Sequence, residues 1–278
     1  MREHRITRQI TDQYQRSLSH LAPGTQSHRF CVVRQLCEYL ACTDPLSYVP
    51  EPNRIISSQA AHEAYIYEHG EIETLLAASS SLRPSGSLRP HTYRTLLGLL
   101  FTTGIRIGEA IALNLGDFDS NEQLLFIACG KYRKARWIPL STSTSKALAR
   151  YVDDRLRFQP QSSTCPLFLN QRKRRLCHPT VNATFHELLR QCRIPRNQGA
   201  VPRIHDLRHS FAVHRLLAWY RDGQDINAQL PALATYMGHV KVASTQVYLR
   251  PTAELLGEVN RRFHEHFLRL VNPQGALS

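Results

Sequence analysis

Apolar residues recur along much of this chain at the three-to-four-residue spacing of a single helical face. The spacing is plainest at residues 26–40, where Phe30, Val33, Leu36 and Leu40 fall on one side of a helix. Similar runs or helix-start signals predict further helices, at residues 10–18, 71–76, 92–102, 106–113, 142–158, 180–192, 205–220 and 252–271. The pattern therefore predicts a mainly α-helical protein.

Two short runs follow a different pattern. Residues 124–128 and 136–140 are apolar and partly β-branched, and they flank the basic stretch Cys129-Gly-Lys-Tyr-Arg-Lys134. Short runs on either side of a turn are typical of a β-hairpin, here with a basic tip. The expected fold class is accordingly mainly α (α+β), with a small β-hairpin or sheet inside an α-rich domain.

The placement of proline predicts the domain organisation. Three prolines stop regular structure between residues 45 and 52, and the stretch around them is rich in Ser and Asn. We expect a small helical N-terminal region at residues 1–50, a linker at 51–64 and a larger α-rich domain at 65–278.

Composition and charge narrow the class of protein. Of the 278 residues, 42% are hydrophobic and 21% charged, and no apolar run is long enough to span a bilayer, so we expect a globular protein without a membrane partner. Lys and Arg number 35 against 22 acidic residues, which gives a net charge of +13. A polyanion is therefore the first partner to consider, with nucleic acid ahead of a ribosomal or membrane-surface role.

Cysteine usage and the N-terminus indicate where the protein works. The seven cysteines form no C-x-x-C pair, and the charged N-terminus lacks an apolar segment for export. These features predict a reducing, cytoplasmic location. Cys177-His178 has no second pair at zinc spacing, so no metal site is expected.

Five short motifs occur in a fixed order in the larger domain. They are Thr102-Thr-Gly-Ile-Arg106-Ile-Gly-Glu109, Gly130-Lys131-Tyr-Arg-Lys134-Ala-Arg136, His205-Asp-Leu-Arg208-His209, Met237-Gly-His239 and Tyr248. Together they resemble the active-site signature of the tyrosine recombinase (phage integrase) family, in its mobile-element integrase-like branch. The resemblance extends over roughly residues 65–260 and includes the distance of nine residues from His239 to Tyr248.

This resemblance implies a site-specific DNA recombinase or integrase that cleaves and rejoins DNA strands through a 3′-phosphotyrosine intermediate. Residues 65–278 would be its catalytic domain and residues 1–50 a shortened, helical core-binding region that contacts DNA. Tyr248 is the expected nucleophile, and the other expected catalytic residues are Arg106, Lys131, His205, Arg208 and His239. The resemblance further implies double-stranded DNA with paired half-sites as the substrate, a homo-oligomer (dimer or tetramer) on that DNA, and no cofactor or metal.

The residue types suit the chemistry of phosphodiester transfer. Arg106 and Arg208 can hold the non-bridging oxygens, because a guanidinium stays charged and gives two aligned donors to one phosphate. Forming the phenolate of Tyr248 at pH 7 costs about 4 kcal/mol, since the reference pKa of tyrosine is near 10. His205 is therefore expected to act as general base, while Lys131 protonates the departing 5′-oxygen.

Several neighbouring residues have two interpretations. Glu109 is expected either to be a buried partner that orients the first arginine or to form a helix-surface pair. Lys131 is preferred over Lys134 as the hairpin lysine of the family, and Lys134 and Arg136 are assigned to DNA binding. His209 can equally be a core histidine, and it is left out of the catalytic set.

Two features depart from the family pattern. Thirty residues separate Arg208 from His239, more than in the simplest recombinases, and we expect a turn and a short loop to hold the surplus near residues 220–227. The N-terminal region is also short, because residues 25–50 resemble only the last helix and the exit of a core-binding domain. We expect either a reduced DNA clamp or descent from a longer integrase.

Other functions and arrangements remain open. A catalytically weakened DNA-binding relative would keep the same fold, and a type IB topoisomerase-like enzyme would relax DNA by the same chemistry. The amphipathic helix at residues 252–271 is expected either to dock on a neighbouring protomer, as the family implies, or to pack on its own domain.

Overall fold

The computed structural model describes residues 5–52, 64–128, 135–159, 165–195 and 201–238. The chain divides into two compact units, Met1–Glu63 and Ala64–Ser278. Most of the expected linker and the expected helix at 252–271 lie outside the described residues.

The described residues form mostly α-helix, with one small antiparallel sheet, so the expected fold class is confirmed. In chain order, the elements are α1 (Arg8–Ser17), α2 (Pro23–Ala41), α3 (His69–Ser79), α4 (Arg89–Thr103), α5 (Ile107–Ala112), β1 (Phe118–Asp119), β2 (Leu124–Ile127), β3 (Arg136–Pro139), α6 (Thr142–Phe158), α7 (His178–Gln191), α8 (Asp206–Arg221) and α9 (Ile226–Met237).

The first unit consists of α1, α2 and the segment that follows them. The side chain of Thr7 accepts a hydrogen bond from the N–H of Ile10, which caps the start of α1. A proline occupies the first turn of α2, where its missing N–H has no helical partner to lose. The segment after α2 returns to the chain ahead of α1, where Arg5 forms an ion pair with Asp44 at 3.0 Å.

The sheet of the second unit has the order β1-β2-β3 and is antiparallel throughout. Leu125 pairs with Ile138, and both are fully buried, so the central register places their shared face on the core. The predicted hairpin is confirmed as β2 and β3, and its described part ends at the pair of Ile127 with Arg136.

Helix α4 lies at the centre of the second unit and packs against α3, α6 and α8. Its leucines are buried on more than one side, at Leu96, Leu97, Leu99 and Leu100. A helix that is apolar around most of its circumference is stable only inside a domain. The strongly apolar run in the sequence therefore corresponds to the core helix on which the neighbouring elements assemble.

Helix α4 ends in a sharp corner at Gly104. This residue has a φ of +62°, and its N–H donates to the carbonyl of Leu100. A side chain at this position would collide with the ring of Phe211 on α8, so only glycine allows both the turn and the close packing. The corner places the start of α5 beside the start of α8.

Helix α9 was not predicted from the sequence. The turn that we expected near residues 220–227 is present, but a helix of 12 residues follows it directly. Asp225 caps this helix by accepting from the N–H of Asn227, and Pro231 lies inside it. The internal proline interrupts the helical pattern in the sequence, whereas buried contacts of Leu230, Leu233 and Met237 stabilise the helix in the fold.

In the part of the chain that the structure describes, none of the helices combines the length and the apolarity needed to cross a lipid bilayer.

Candidate active site

Four chain segments that are distant in sequence meet at one place in the second unit. They are the corner between α4 and α5, the first turn of α8, the last turn of α9 and the first residue of β3. Three arginines and one glutamate from these segments form a single hydrogen-bonded cluster, which consists of Arg106, Arg136, Arg208 and Glu109.

Arg106 is the residue immediately before α5. Its backbone N–H donates to Oε2 of Glu109 at 2.9 Å, and its Nη1 donates to Oε1 of the same carboxylate at 3.0 Å. Nη1 also lies 3.4 Å from the carbonyl oxygen of Met237, and Nη2 donates to that of Gly238 at 3.2 Å. Among the described residues, none accepts a hydrogen bond from Nε of Arg106.

Glu109 is the buried anion at the centre of the cluster, with its side chain 4% exposed. Arg136 donates to both of its oxygens, from Nη1 to Oε1 at 3.1 Å and from Nη2 to Oε2 at 2.8 Å. Burial acts to raise the pKa of this carboxyl, but the hydrogen bonds and charges of Arg136 and Arg106 outweigh it and hold the pKa below its usual value. The carboxylate therefore stays ionised and neutralises part of the arginine charge.

Arg208, on the first turn of α8, is buried at 2% exposure. Its Nη1 donates to the carbonyl of Gly104 at 2.5 Å and its Nη2 to that of Met237 at 2.6 Å. Both carbonyls belong to the ends of helices, where the last oxygens have no partner within the helix and carry a partial negative charge. The guanidinium thus ties the ends of α4 and α9 to the start of α8.

His205 precedes α8 and exposes its ring at the edge of the cluster. The surrounding protein still removes part of its hydration, which lowers its pKa, and the positive charges of Arg208, Arg203 and Arg106 lower it further, against an opposing effect of Asp206. At neutral pH the imidazole is therefore mainly uncharged and able to accept a proton.

His209 packs edge-on against His205, with the ring centroids 5.0 Å apart. Burial, and next the neighbouring imidazole of His205, lower its pKa to about 4. His209 is consequently neutral over the physiological pH range.

Comparison with known proteins identifies the family. The Phage integrase family model matches residues 66–254. A protein of Sinorhizobium fredii named putative integrase/recombinase y4rB is 34% identical over 270 residues, which cover 94% of this chain and 85% of that protein. The chain belongs to the phage integrase family of tyrosine recombinases. Another similar protein is tyrosine recombinase XerC of Pelotomaculum thermopropionicum, at 30% identity over 94% of this chain and 81% of its own.

The fold of this recombinase also matches solved structures. The integrase of transposon Tn1549, in complex with a circular intermediate DNA, superposes with a TM-score of 0.66 at 15% identity, over 91% of this chain and 84% of that one. At this level of identity the likeness concerns the fold.

The structure brings together four of the expected site residues, Arg106, Glu109, His205 and Arg208. Four others lie outside the described residues, namely Lys131, Lys134, His239 and Tyr248. Arg136, which we assigned to DNA binding, is placed in the cluster with its guanidinium on Glu109 and on the carbonyl of Tyr236.

This position of Arg136 was not predicted from the sequence. A signal for it was present, because residues two apart on a strand share a face, and Arg136 is two residues from Ile138, which is fully buried. The exposed side of the strand belongs to Trp137, whose exposed fraction is 57%. The alternation therefore places Arg136 on the inner side of the recombinase hairpin.

Proposed function

We propose that this recombinase cleaves and rejoins double-stranded DNA at specific sites through a 3′-phosphotyrosine intermediate. The oxygen of Tyr248 attacks the scissile phosphorus as the bond from phosphorus to the 5′-oxygen breaks. His205 takes the phenolic proton, and Lys131 gives a proton to the departing 5′-oxygen. Rejoining is the reverse step, in which a DNA 5′-hydroxyl displaces the tyrosine, so no external energy source is needed.

The observation that carries the proposal is that two guanidiniums converge on one oxygen atom. Nη1 of Arg106 and Nη2 of Arg208 lie 3.4 and 2.6 Å from the same carbonyl oxygen of Met237. Two groups that reach one atom can also surround one phosphate, where they would stabilise the negative charge of the transition state. His239, the expected further donor, is the second residue after Met237 in the chain.

The charges of the cluster support this role. Three arginines against one glutamate leave a net charge of two positive units among these four side chains. A phosphodiester brings one negative charge. The same positive charge favours the phenolate form of an approaching tyrosine. The uncharged imidazole of His205 can accept the proton that this tyrosine loses.

We also propose the DNA substrate, the oligomeric state, the cellular location and the biological role that similar proteins suggest. The DNA would carry paired half-sites, the enzyme would act as a dimer or tetramer on it, and the reaction would take place in the cytoplasm and serve a mobile element. The similar integrase of transposon Tn1549, solved with a circular intermediate DNA, supports the assignment to DNA and to mobile elements.

A nicked duplex that carries a candidate site tests the chemistry, because the nick lets the cleaved fragment diffuse away and traps the covalent product. Inverted repeats, if the DNA beside the gene contains them, supply the candidate sites. The wild-type protein should form a protein–DNA adduct that survives denaturation, and Tyr248→Phe should form none. Tyr39→Phe, which removes the same oxygen from a ring that is 70% exposed in the first unit, should form as much adduct as the wild type.

Three outcomes would contradict the proposal. An adduct that persists in Tyr248→Phe would assign the nucleophile to another residue. Tight binding of the wild-type protein without an adduct would indicate a DNA-binding relative. Relaxation of supercoiled plasmid regardless of sequence would indicate a type IB topoisomerase-like enzyme.

A further inference from the structure

We propose that Arg136 is a positioning residue of the cleavage reaction and does not serve mainly as a contact to DNA. In this role, which rests on the proposed function, Arg136 fixes the end of α9 against Glu109 and thereby sets the place of Arg106.

Arg136 uses three different nitrogens to join two elements. Its Nη1 and Nη2 donate to the two oxygens of Glu109, and its Nε donates to the carbonyl of Tyr236 at 2.9 Å. The side chain is 13% exposed, so most of the group is turned away from solvent and from any DNA on the surface. A planar fork with fixed donor directions suits such a bridge, whereas a lysine ammonium does not.

Glu109 also binds Arg106, so the position of Arg136 affects the position of Arg106. Oε1 of Glu109 accepts from Nη1 of both arginines, at 3.0 Å for Arg106 and 3.1 Å for Arg136. Oε2 accepts from the backbone N–H of Arg106 and from Nη2 of Arg136. Because one carboxylate holds both residues, a shift of Arg136 must displace the carboxylate or break a bond to Arg106.

Arg136 also acts on the chain that leads to His239. The three arginines of the cluster donate to the carbonyls of three consecutive residues, which are Tyr236, Met237 and Gly238. These are the oxygens that the end of a helix leaves without partners, and cations there also stabilise the helix dipole. His239 is the next residue, so Arg136, together with Arg106 and Arg208, holds the end of α9 directly before it.

The test compares cleavage with DNA affinity. Arg136→Met keeps the buried stem and removes the guanidinium. We expect its single-turnover cleavage of the nicked duplex to fall on the order of 10- to 100-fold, because a displacement of about 1 Å in an active site has effects of this size. Its dissociation constant for DNA should stay within about threefold of the wild type, as expected for a group that acts inside the protein.

A matched control separates positioning from the general loss of a buried arginine. Arg89 also pairs with a carboxylate, Glu187, and donates to a backbone carbonyl, that of Arg83, but it has no contact with the cluster. Arg89→Met should cleave at the wild-type rate. The wild-type adduct serves as the reference, so its absence would overturn the proposed function itself.

The variant Arg136→Lys distinguishes positioning from simple charge neutralisation. A lysine keeps a positive charge beside Glu109 but lacks the planar fork that reaches both the carboxylate and the carbonyl of Tyr236. If Arg136 served only to neutralise the carboxylate, Arg136→Lys would cleave at the wild-type rate, and we expect it to stay slow. A wild-type rate in Arg136→Lys, an unaffected Arg136→Met, or a loss of DNA affinity in parallel with cleavage would each overturn the inference.

Discussion

Gly238 is the residue at which the end of α9 meets two arginines. It has a φ of +67°, and a side chain built there would place its Cβ 3.0 Å from Nη1 and 3.1 Å from Cζ of Arg136. Glycine is therefore required twice, for the left-handed backbone conformation and for the close approach of the guanidinium. The neighbour that crowds this glycine lies 102 residues earlier in the chain, so the close approach was not predictable from the sequence.

Replacement of this glycine should separate backbone strain from displacement of the cluster. We expect Gly238→Ala to lose about 1–2 kcal/mol of stability from the left-handed conformation and to cleave DNA at least about 10-fold more slowly, because Arg136 must move. Gly223→Ala is the matched control, since it has a φ of +74° and no atom within 4 Å of the added Cβ. Thermal unfolding should report a loss for both variants that is larger for Gly238→Ala, and a normal cleavage rate in Gly238→Ala would show that the cluster tolerates the methyl group.

At the scale of elements, α9 is a helix that tertiary contacts stabilise although its sequence contains an internal proline. Pro231 cannot donate the helical hydrogen bond to the carbonyl four residues earlier, and its ring crowds that carbonyl. Leu230, Leu233 and Met237 compensate by packing with α8 residues such as Leu216. The helix that carries the acceptors for the arginines is thus held by one apolar face.

Removal of this proline should stabilise the protein. Pro231 is exposed, so Pro231→Ala leaves the core unchanged and restores a helical N–H, and we expect the free energy of unfolding to rise by about 1–3 kcal/mol. Pro179→Ala is the control, because Pro179 is an exposed proline in the first turn of α7, where no helical bond is lost. Denaturant unfolding should show the gain for Pro231→Ala alone, and equal effects of the two substitutions would contradict this account of α9.

At the scale of the whole molecule, two half-buried histidines couple folding to pH. His214 on α8 stacks on His69 with ring centroids 4.6 Å apart, and burial, followed by the charges of His69 and Arg221, lowers its pKa to about 4. His209 has a pKa of about 4 as well. Both groups titrate near 6.5 when the chain is unfolded, so below that pH the unfolded state binds more protons than the folded state.

The free energy of unfolding should consequently fall as the pH drops from about 6.5 towards 5. This pH range lies above the reference pKa values of the carboxylates. Each of these two histidines contributes a slope of at most about 1.4 kcal/mol per pH unit. His214→Gln should flatten the pH dependence of the free energy of unfolding, whatever its effect on stability at pH 7. An unchanged slope in His214→Gln would exclude His214 as a source.

Local patterns in the sequence predicted most elements of this protein, because helical periodicity and turn residues act over a few positions. The helices before and after the hairpin, the hairpin itself and the turn at Gly223 are examples. Two elements escaped prediction for local reasons. Strand β1 has two residues, too few for any pattern, and the proline in α9 hides its periodicity.

The types of residue in the candidate active site were likewise evident from the sequence alone, since Arg106, His205 and Arg208 occur in recognisable motifs. Their arrangement was decided only by the tertiary structure. Arg106 and Met237 are 131 residues apart and Arg136 and Tyr236 are 100 apart, so their contacts depend on how α4, α8 and α9 pack. The alternation along β3 indicates an inward position for Arg136, but only the fold shows that it lies against Glu109, 27 residues earlier in the chain.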